Sequence, residues 1–307
     1  MNYDTRYVDL VGKLRVYKQG GRRAPHKPLM LLIAIAKLLR GQKTIPFGEA
    51  ESELRPLLEK YAPPVVGRHQ PGLPYWHLQT DEVWEIPGGE VFPRQAGGFP
   101  QMAALRSSSG HLLPSFADAL ESSPELVRTI INTLLEDHFA PSIYDDILDA
   151  IGLETPVQSD EEDRLGAIPG VQRRDPRFRQ AVLRAYEHRC AVTGFRASLG
   201  GTYFGCEAAH VRWHAYEGPD TVDNGFAVEP TLHKLFDAGA WTLTDNRRIL
   251  VSAKLTGTDS TVTRVRDLHG EPLQQPLPGE PQISVDYIRW HRDPELGGVF
   301  RYPGLPL

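Results

Sequence analysis

The chain has 307 residues, more than one core usually organises, so two domains are expected. Its hydrophobic fraction of 40% and charged fraction of 24% exclude a disordered chain. The longest apolar run, Leu29 to Ala36, falls far short of the roughly 18–20 residues a bilayer span needs, so no membrane partner is expected. A net charge of −5 does not suggest a nucleic-acid ligand, yet the charge is segregated. Residues 1–43 carry ten Lys/Arg against Asp4 and Asp9, and residues 171–213 carry eight Arg against Asp175, Glu187 and Glu207. Residues 117–163 carry thirteen Asp/Glu against Arg128 alone. The two basic stretches are candidate phosphate-facing surfaces, although charge alone fits a solvated helix face equally well.

In chain order, Tyr7, Leu10, Val11 and Leu14 have the 3-4 spacing of an amphipathic helix over Tyr3–Tyr17, broken at Gly20-Gly21. A second helix is expected over Pro25–Leu39, with Pro28 in its first turn, and a third over Glu49–Tyr61. Leu73–Ile86 alternates aromatic and polar residues around Thr80-Asp81, which predicts a short hairpin. Leu112–Phe139 predicts two further helices and Ile143–Ile151 a last short one. The segment 154–170 loses periodicity and gains acid, Pro and Gly, a linker composition. Asp175–His188 is again helical, and a strand pair is expected around Asp245-Asn246. The fold class expected is α+β, with an α-rich domain carrying a small β element over 1–153, a linker over 154–170 and a second domain over 171–307.

The N-terminus shows no apolar core or small-residue cleavage site, so no signal peptide is read and a cytoplasmic location is expected. Cys190 and Cys206 make no disulfide framework. Cys190 opens C-x-x-T rather than C-x-x-C, so no structural zinc site is expected.

Residues 206–241 read CEAAHVRWHAYEGPDTVDNGFAVEPTLHKLFDAGAW. An apolar strand ends in His210, Asn224 precedes a second short strand, and His233 opens an amphipathic helix. The A-A-H, D-N-G and L-H-K-L-F-D elements, in that order, resemble the HNH (ββα-metal) endonuclease superfamily over about Phe178–Val251. Phosphodiester hydrolysis needs an activated water, a cation for the developing charge, and positioning of both. The resemblance implies that His210 is the general base and that His233 ligates a divalent Mg or Mn ion. It implies that Asn224 either orients His210 or holds the strand-to-strand turn. Asp237, four residues after His233, shares its helix face and suits a second ligand, or else caps the Gly239 turn. Many members of the superfamily carry a ligand immediately before the base, where this chain has Ala209. Glu207, two residues earlier on that strand face, is the candidate replacement, or a surface carboxylate.

In the first half, RRAPHKPLMLL (22–32), GRHQPGLPYWHLQTDEVWEI (67–86) and GGF (97–99) resemble the sulfur-binding domain of restriction endonucleases that recognise phosphorothioate-modified DNA. Sulfur is larger, softer and a poorer hydrogen-bond acceptor than oxygen, so an apolar cup favours it. The resemblance makes Leu73, Pro74, Tyr75 and Trp76 the candidates for that cup. His26, Lys27, Arg68 and His69, with Arg94 and Arg106, are the candidates for contacts to phosphates and base edges. Trp76 and Trp84 also read as core aromatics, and Pro25–Pro28 as a plain helix start. The combination implies a restriction endonuclease acting on phosphorothioate-bearing duplex DNA, with a homodimer as one way to cut two strands. The rivals are an HNH nuclease directed by a modified-base reader, such as one for methylcytosine, and a catalytically silent DNA-binding protein. The aromatic-basic tail, Tyr287 to Arg292, is expected to close the second domain rather than touch DNA.

Overall fold

The computed structural model describes residues 3–16, 18–19, 22–23, 25–64, 69–153, 176–258 and 260–306. The chain divides into two units, residues 1–17 with 24–169 and residues 18–23 with 170–307. The expected linker, 154–170, lies outside the described residues. Helices beside short antiparallel sheets make an α+β fold, and no helix among the described residues is long and apolar enough to cross a membrane. A short ribbon, β1 (Lys18–Gln19) with β2 (Arg22–Arg23), belongs to the second unit.

The first unit is built around α2 (His26–Leu39), preceded by α1 (Tyr3–Gly12). Leu29 through Ala36 are all buried, as an all-apolar helix surface requires. α3 (Phe47–Tyr61) packs on α2 and keeps Pro56 within it. Three short strands, β3 (Ile45–Pro46), β4 (Trp84–Glu85) and β5 (Ser109–Leu112), form one antiparallel sheet in the order β3-β5-β4. Gly110 in β5 is needed there, because a Cβ would lie 2.3 Å from the Trp84 ring.

The hairpin expected over 73–86 is not formed. Gly72–His77 is a helix, α4, followed by a 3-10 turn over Leu78–Asp81, and only Trp84–Glu85 is strand. Pro71 and Pro74 sit at the helix start, where a missing N–H costs nothing. Tyr75 and Leu78 are buried three residues apart, so the apolar period is helical and not two. The remaining helices are α5 (Met102–Arg106), α6 (Pro114–Ser122), α7 (Pro124–His138) and α8 (Tyr144–Ala150). Ser123 starts α7 by accepting the Leu126 N–H at 3.1 Å, a cap of about 1 kcal/mol.

The second unit opens with α9 (Pro176–Ala185) and a hairpin of β6 (Ala197–Leu199) and β7 (Thr202–Phe204). A second antiparallel pair, β8 (Glu207–His210) and β9 (Gly225–Val228), leads into α10 (Pro230–Asp237). The pair β10 (Trp241–Leu243) and β11 (Ile249–Val251) surrounds Asp245-Asn246. α11 (Ser260–Asp267) and α12 (Val285–Arg292) complete it. Its core holds Phe226, Phe236 and Trp241 in mutual edge-on and tilted ring contacts, with centroids 4.7–5.9 Å apart. α12 closes this core. The His291 ring is fully buried and stacks on Phe236 at 3.7 Å, while Arg289 and Arg292 both bind Asp245.

Candidate active site and DNA-facing surface

β8 carries Glu207 at its start and His210 at its end, about 10 Å apart at the usual rise per residue. Ala209 between them is buried in the core, so the position immediately before His210 offers no ligand. The register pairs His210 with Gly225. A Cβ on Gly225 would lie 2.7 Å from the Phe178 ring and 2.8 Å from Val182, so this glycine lets α9 settle on the sheet. That close approach stacks Phe178 on the His210 imidazole, centroids 3.9 Å apart and planes 15° from parallel. His210 Nε2 is 2.8 Å from Asp220 Oδ1. With Nε2 hydrogen-bonded to a carboxylate, the proton belongs on that nitrogen, and Nδ1 is the nitrogen that can accept one.

Asn224 is wholly buried, and its side chain bonds to the backbone of the β8–β9 connection rather than to His210. Its Oδ1 accepts the Arg212 N–H at 2.9 Å, and its Nδ2 donates to the Arg212 carbonyl at 3.0 Å and the Pro219 carbonyl at 2.9 Å. The residue holds the loop that delivers Asp220.

His233 forms the second cluster. Its Nδ1 is 2.7 Å from Glu207 Oε2 and its Nε2 is 3.2 Å from Asp237 Oδ2. Burial opposes charge on the imidazole, but Asp237 and Glu207 outweigh it and push the pKa up to about 9. The hydrogen bond to His233 in turn lowers the pKa of Glu207, with Arg179 contributing. Asp237 is nearly inaccessible and also accepts the Trp213 indole N–H at 2.9 Å. Glu207 is 46% exposed in its side chain.

The three ligand candidates therefore do not converge on one point. Glu207 and Asp237 sit on opposite edges of the same ring, and among the described residues no group of three or more His, Cys, Asp or Glu is arranged to hold a metal ion. The donor chemistry still fits a divalent cation bound through two protein groups. Glu207 and His233 Nδ1 are a carboxylate and an imidazole at one accessible edge, and the buried Asp237 holds the other ring nitrogen, as outer-sphere carboxylates do for metal-binding histidines. Cys190 and Cys206 are both free and buried.

In the first unit the structure rearranges the expected contacts. Tyr75 is fully buried, its hydroxyl donating to the Ile45 carbonyl at 2.9 Å and its ring edge-on to Phe47 and Trp84. It packs in the core, and Pro74 is buried beside it. Trp76 is 9% exposed, stacked with Phe92 and covered by the Arg94 guanidinium 5.0 Å from its ring centre. Leu73, at 39%, is the one exposed member of the expected cup. The Phe99 ring lies 3.4 Å from where a Cβ on the preceding Gly72 would stand, and 6.1 Å from the His77 ring.

Lys27 is buried against Asp81, Nζ to Oδ2 2.5 Å, and donates to Thr80 at 3.2 Å, so its charge is spent inside the fold. His26 Nε2 meets His69 Nδ1 at 3.2 Å. Burial, and then the His69 charge, depress the His26 pKa to about 4, so it meets any ligand as a neutral ring. Arg94 donates to the Gly98 carbonyl at 3.0 Å and steadies the 94–100 loop, while Arg106 ends α5 in solvent. Arg68 lies outside the described residues. Sequence reasoning missed Asp220 and Phe178; only the D-T-V-D-N-G run hinted at an acid near the site.

Comparison with known proteins matches two families in the chain. The ScoMcrA-like DNA sulfur-binding domain family matches residues 4–156, and the HNH endonuclease family matches residues 190–244. No curated relative matches the chain. The sulfur binding domain of ScoMcrA complexed with phosphorothioated DNA is 23% identical over 48% of this chain and 95% of that one, with a TM-score of 0.43. The structure of the type IV phosphorothioation-dependent restriction endonuclease ScoMcrA is 22% identical over 66% of this chain and 35% of that one, with a TM-score of 0.43. The modification-dependent TagI restriction endonuclease is 25% identical over 39% of this chain and 37% of that one, with a TM-score of 0.29. The chain joins a ScoMcrA-like DNA sulfur-binding domain in its first half to an HNH endonuclease domain in its second.

Proposed function

We propose that the protein is a restriction endonuclease that recognises phosphorothioate-bearing duplex DNA and hydrolyses phosphodiester bonds near the modification. The domains assigned are 1–153 for the reader and 171–307 for the nuclease, with 154–170 between them. The observation that carries the nuclease chemistry is the pair of histidine–carboxylate clusters on β8 and α10. His210 takes a proton from water at Nδ1. Asp220 holds the Nε2–H and steadies the imidazolium that results, and Phe178 fixes the ring plane. Asn224 acts as a positioning residue through the loop backbone. Glu207 and His233 would hold a divalent ion, Mg or Mn, which would supply neutralisation of charge developing on the phosphate. Asp237 orients His233 from the far edge. In the reader, Leu73 and Phe99 offer the apolar surface a sulfur prefers, while Arg94, Arg106 and the His26–His69 pair supply donors. Two copies acting together would cut both strands, and sedimentation that shows a monomer both alone and on DNA would remove that part.

The test is cleavage of two duplexes identical except for one phosphorothioate linkage, with Mg or Mn, by wild type and His210→Ala. Cutting of the sulfur duplex alone, abolished by the substitution, is expected. Equal cutting of both duplexes would remove the sulfur reader and leave the nuclease. Selective binding without cutting by wild type would remove the nuclease and leave the reader.

A further inference from the structure

Exposed arginines of the nuclease unit lie on α9 and just before β6. α9 buries Phe178, Val182 and Ala185 and leaves Arg179 and Arg184 exposed. With His188, Gln180 and Leu183 these line a shallow groove. The His188 ring stacks on Tyr203 of β7, centroids 4.8 Å apart and planes 16° from parallel. Arg196 covers the same tyrosine, its guanidinium 4.5 Å from the ring centre and 2.5 Å from the hydroxyl. The strip thereby passes from α9 onto the β6–β7 hairpin, whose Gly200-Gly201 turn leaves Leu199 79% exposed. At its inner end Arg179 acts electrostatically on Glu207, so the strip begins beside the candidate active site. Among the described residues, Arg179, Arg184 and Arg196 enter no ion pair.

We propose that Arg179, Arg184, His188, Tyr203 and Arg196 form a phosphate-tracking surface by which the nuclease unit holds duplex DNA independently of any sulfur. Guanidinium groups braced on an aromatic ring keep donors in a fixed fork that matches phosphate oxygens. Exposed arginines that enter no ion pair among the described residues favour a polyanion over a protein surface of mixed charge. The proposal rests on the nuclease reading for its purpose, but its test does not depend on cleavage.

Binding of the full chain to an unmodified duplex is measured over a range of salt concentrations without divalent ion, for wild type and Arg184→Gln/Arg196→Gln. Each phosphate contact contributes about 0.9 to the slope of log K against log salt, so the double variant should be shallower by about 1.8. Arg184→Lys/Arg196→Lys, which keeps the charge, should restore most of that slope and guards against a folding effect. The affinity ratio between sulfur and oxygen duplexes should not change. An unchanged slope in the glutamine variant overturns the proposal, and a change in sedimentation with Leu199→Ser would then assign the surface to a protein partner. A shallower slope in a protein that never cuts DNA keeps the proposal while removing the nuclease reading.

Discussion

Replacing Asn224 by alanine separates a positioning residue from a reacting one. The amide sits in a fully buried place and makes three bonds to backbone groups of Arg212 and Pro219. Truncation strands one N–H and leaves two carbonyls without their donor. A typical hydrogen bond contributes about 0.5–1.5 kcal/mol net, and a stranded buried group costs about 1–3 kcal/mol. With partial rehydration as the loop relaxes, the loss should be about 3 kcal/mol, or on the order of 10 °C in the melting of the nuclease unit. Asn224→Asp is the sharper variant. Its oxygen can still accept the Arg212 N–H, but a second carboxylate oxygen then faces two carbonyls, so the loss should be at least as large. Calorimetric melting reads both variants, and single-turnover cleavage well below their midpoints reads chemistry. If both melt as wild type and only cleavage falls, Asn224 contacts the reacting groups and the loop-holding role is wrong.

Asp220→Asn should leave melting unchanged and cut cleavage by about 10²–10⁴-fold, because an amide N–H at Nε2 forces the proton onto Nδ1, the nitrogen assigned to the base. Wild-type cleavage with a normal pH profile in this variant would remove Asp220 from the mechanism. Lys27→Met should cost about 3–5 kcal/mol, because it leaves the buried Asp81 carboxylate uncompensated. A stable variant that only binds DNA less well would return Lys27 to the interface. His233, with its pKa raised to about 9, holds a proton more tightly in the fold than in the unfolded chain. The metal-free protein should therefore keep that contribution in full below the ordinary value of 6.5 and lose it as pH rises through about 9. Adding Mg or Mn near neutral pH should release a proton, measured as a calorimetric heat that depends on the buffer's ionisation enthalpy, and the absence of such release would refute metal binding at His233.

The helices and the HNH elements were legible because each is a local pattern. His210, Asn224 and His233 stand at fixed offsets from an apolar strand, a turn and an amphipathic helix, and those offsets survive folding unchanged. Asp220 was not legible. The loop holds both Asp220 and Asp223, and only the β8–β9 register, with Asn224 fixing the connection, brings the first to His210. Residues 72–77 were misread because aromatic and polar residues alternate there, while the prolines that start the helix read as turn signals. Tyr75 lies on that helix, where its period sets its ring against Phe47 and Trp84. Lys27 illustrates the same limit for charge: its partner, Asp81, is 54 residues away.

That limit also explains how a chain of net charge −5 can offer a cationic face. Much of its positive charge is consumed by the fold. Arg289 and Arg292 share Asp245, Arg247 binds the Ile283 carbonyl, and Lys37 lies between Glu49 and Glu53. Arg301 is buried deeply enough that desolvation brings its pKa down to about 10. The basic tail read from the sequence is therefore a clasp for the nuclease core, and its guanidinium groups are already engaged. Arg184 and Arg196 enter no ion pair among the described residues, although their local sequence is no more basic than the tail's. What a phosphate backbone meets is the charge left over after folding, so the surface that binds it is decided by which carboxylates the fold places beside which guanidinium groups.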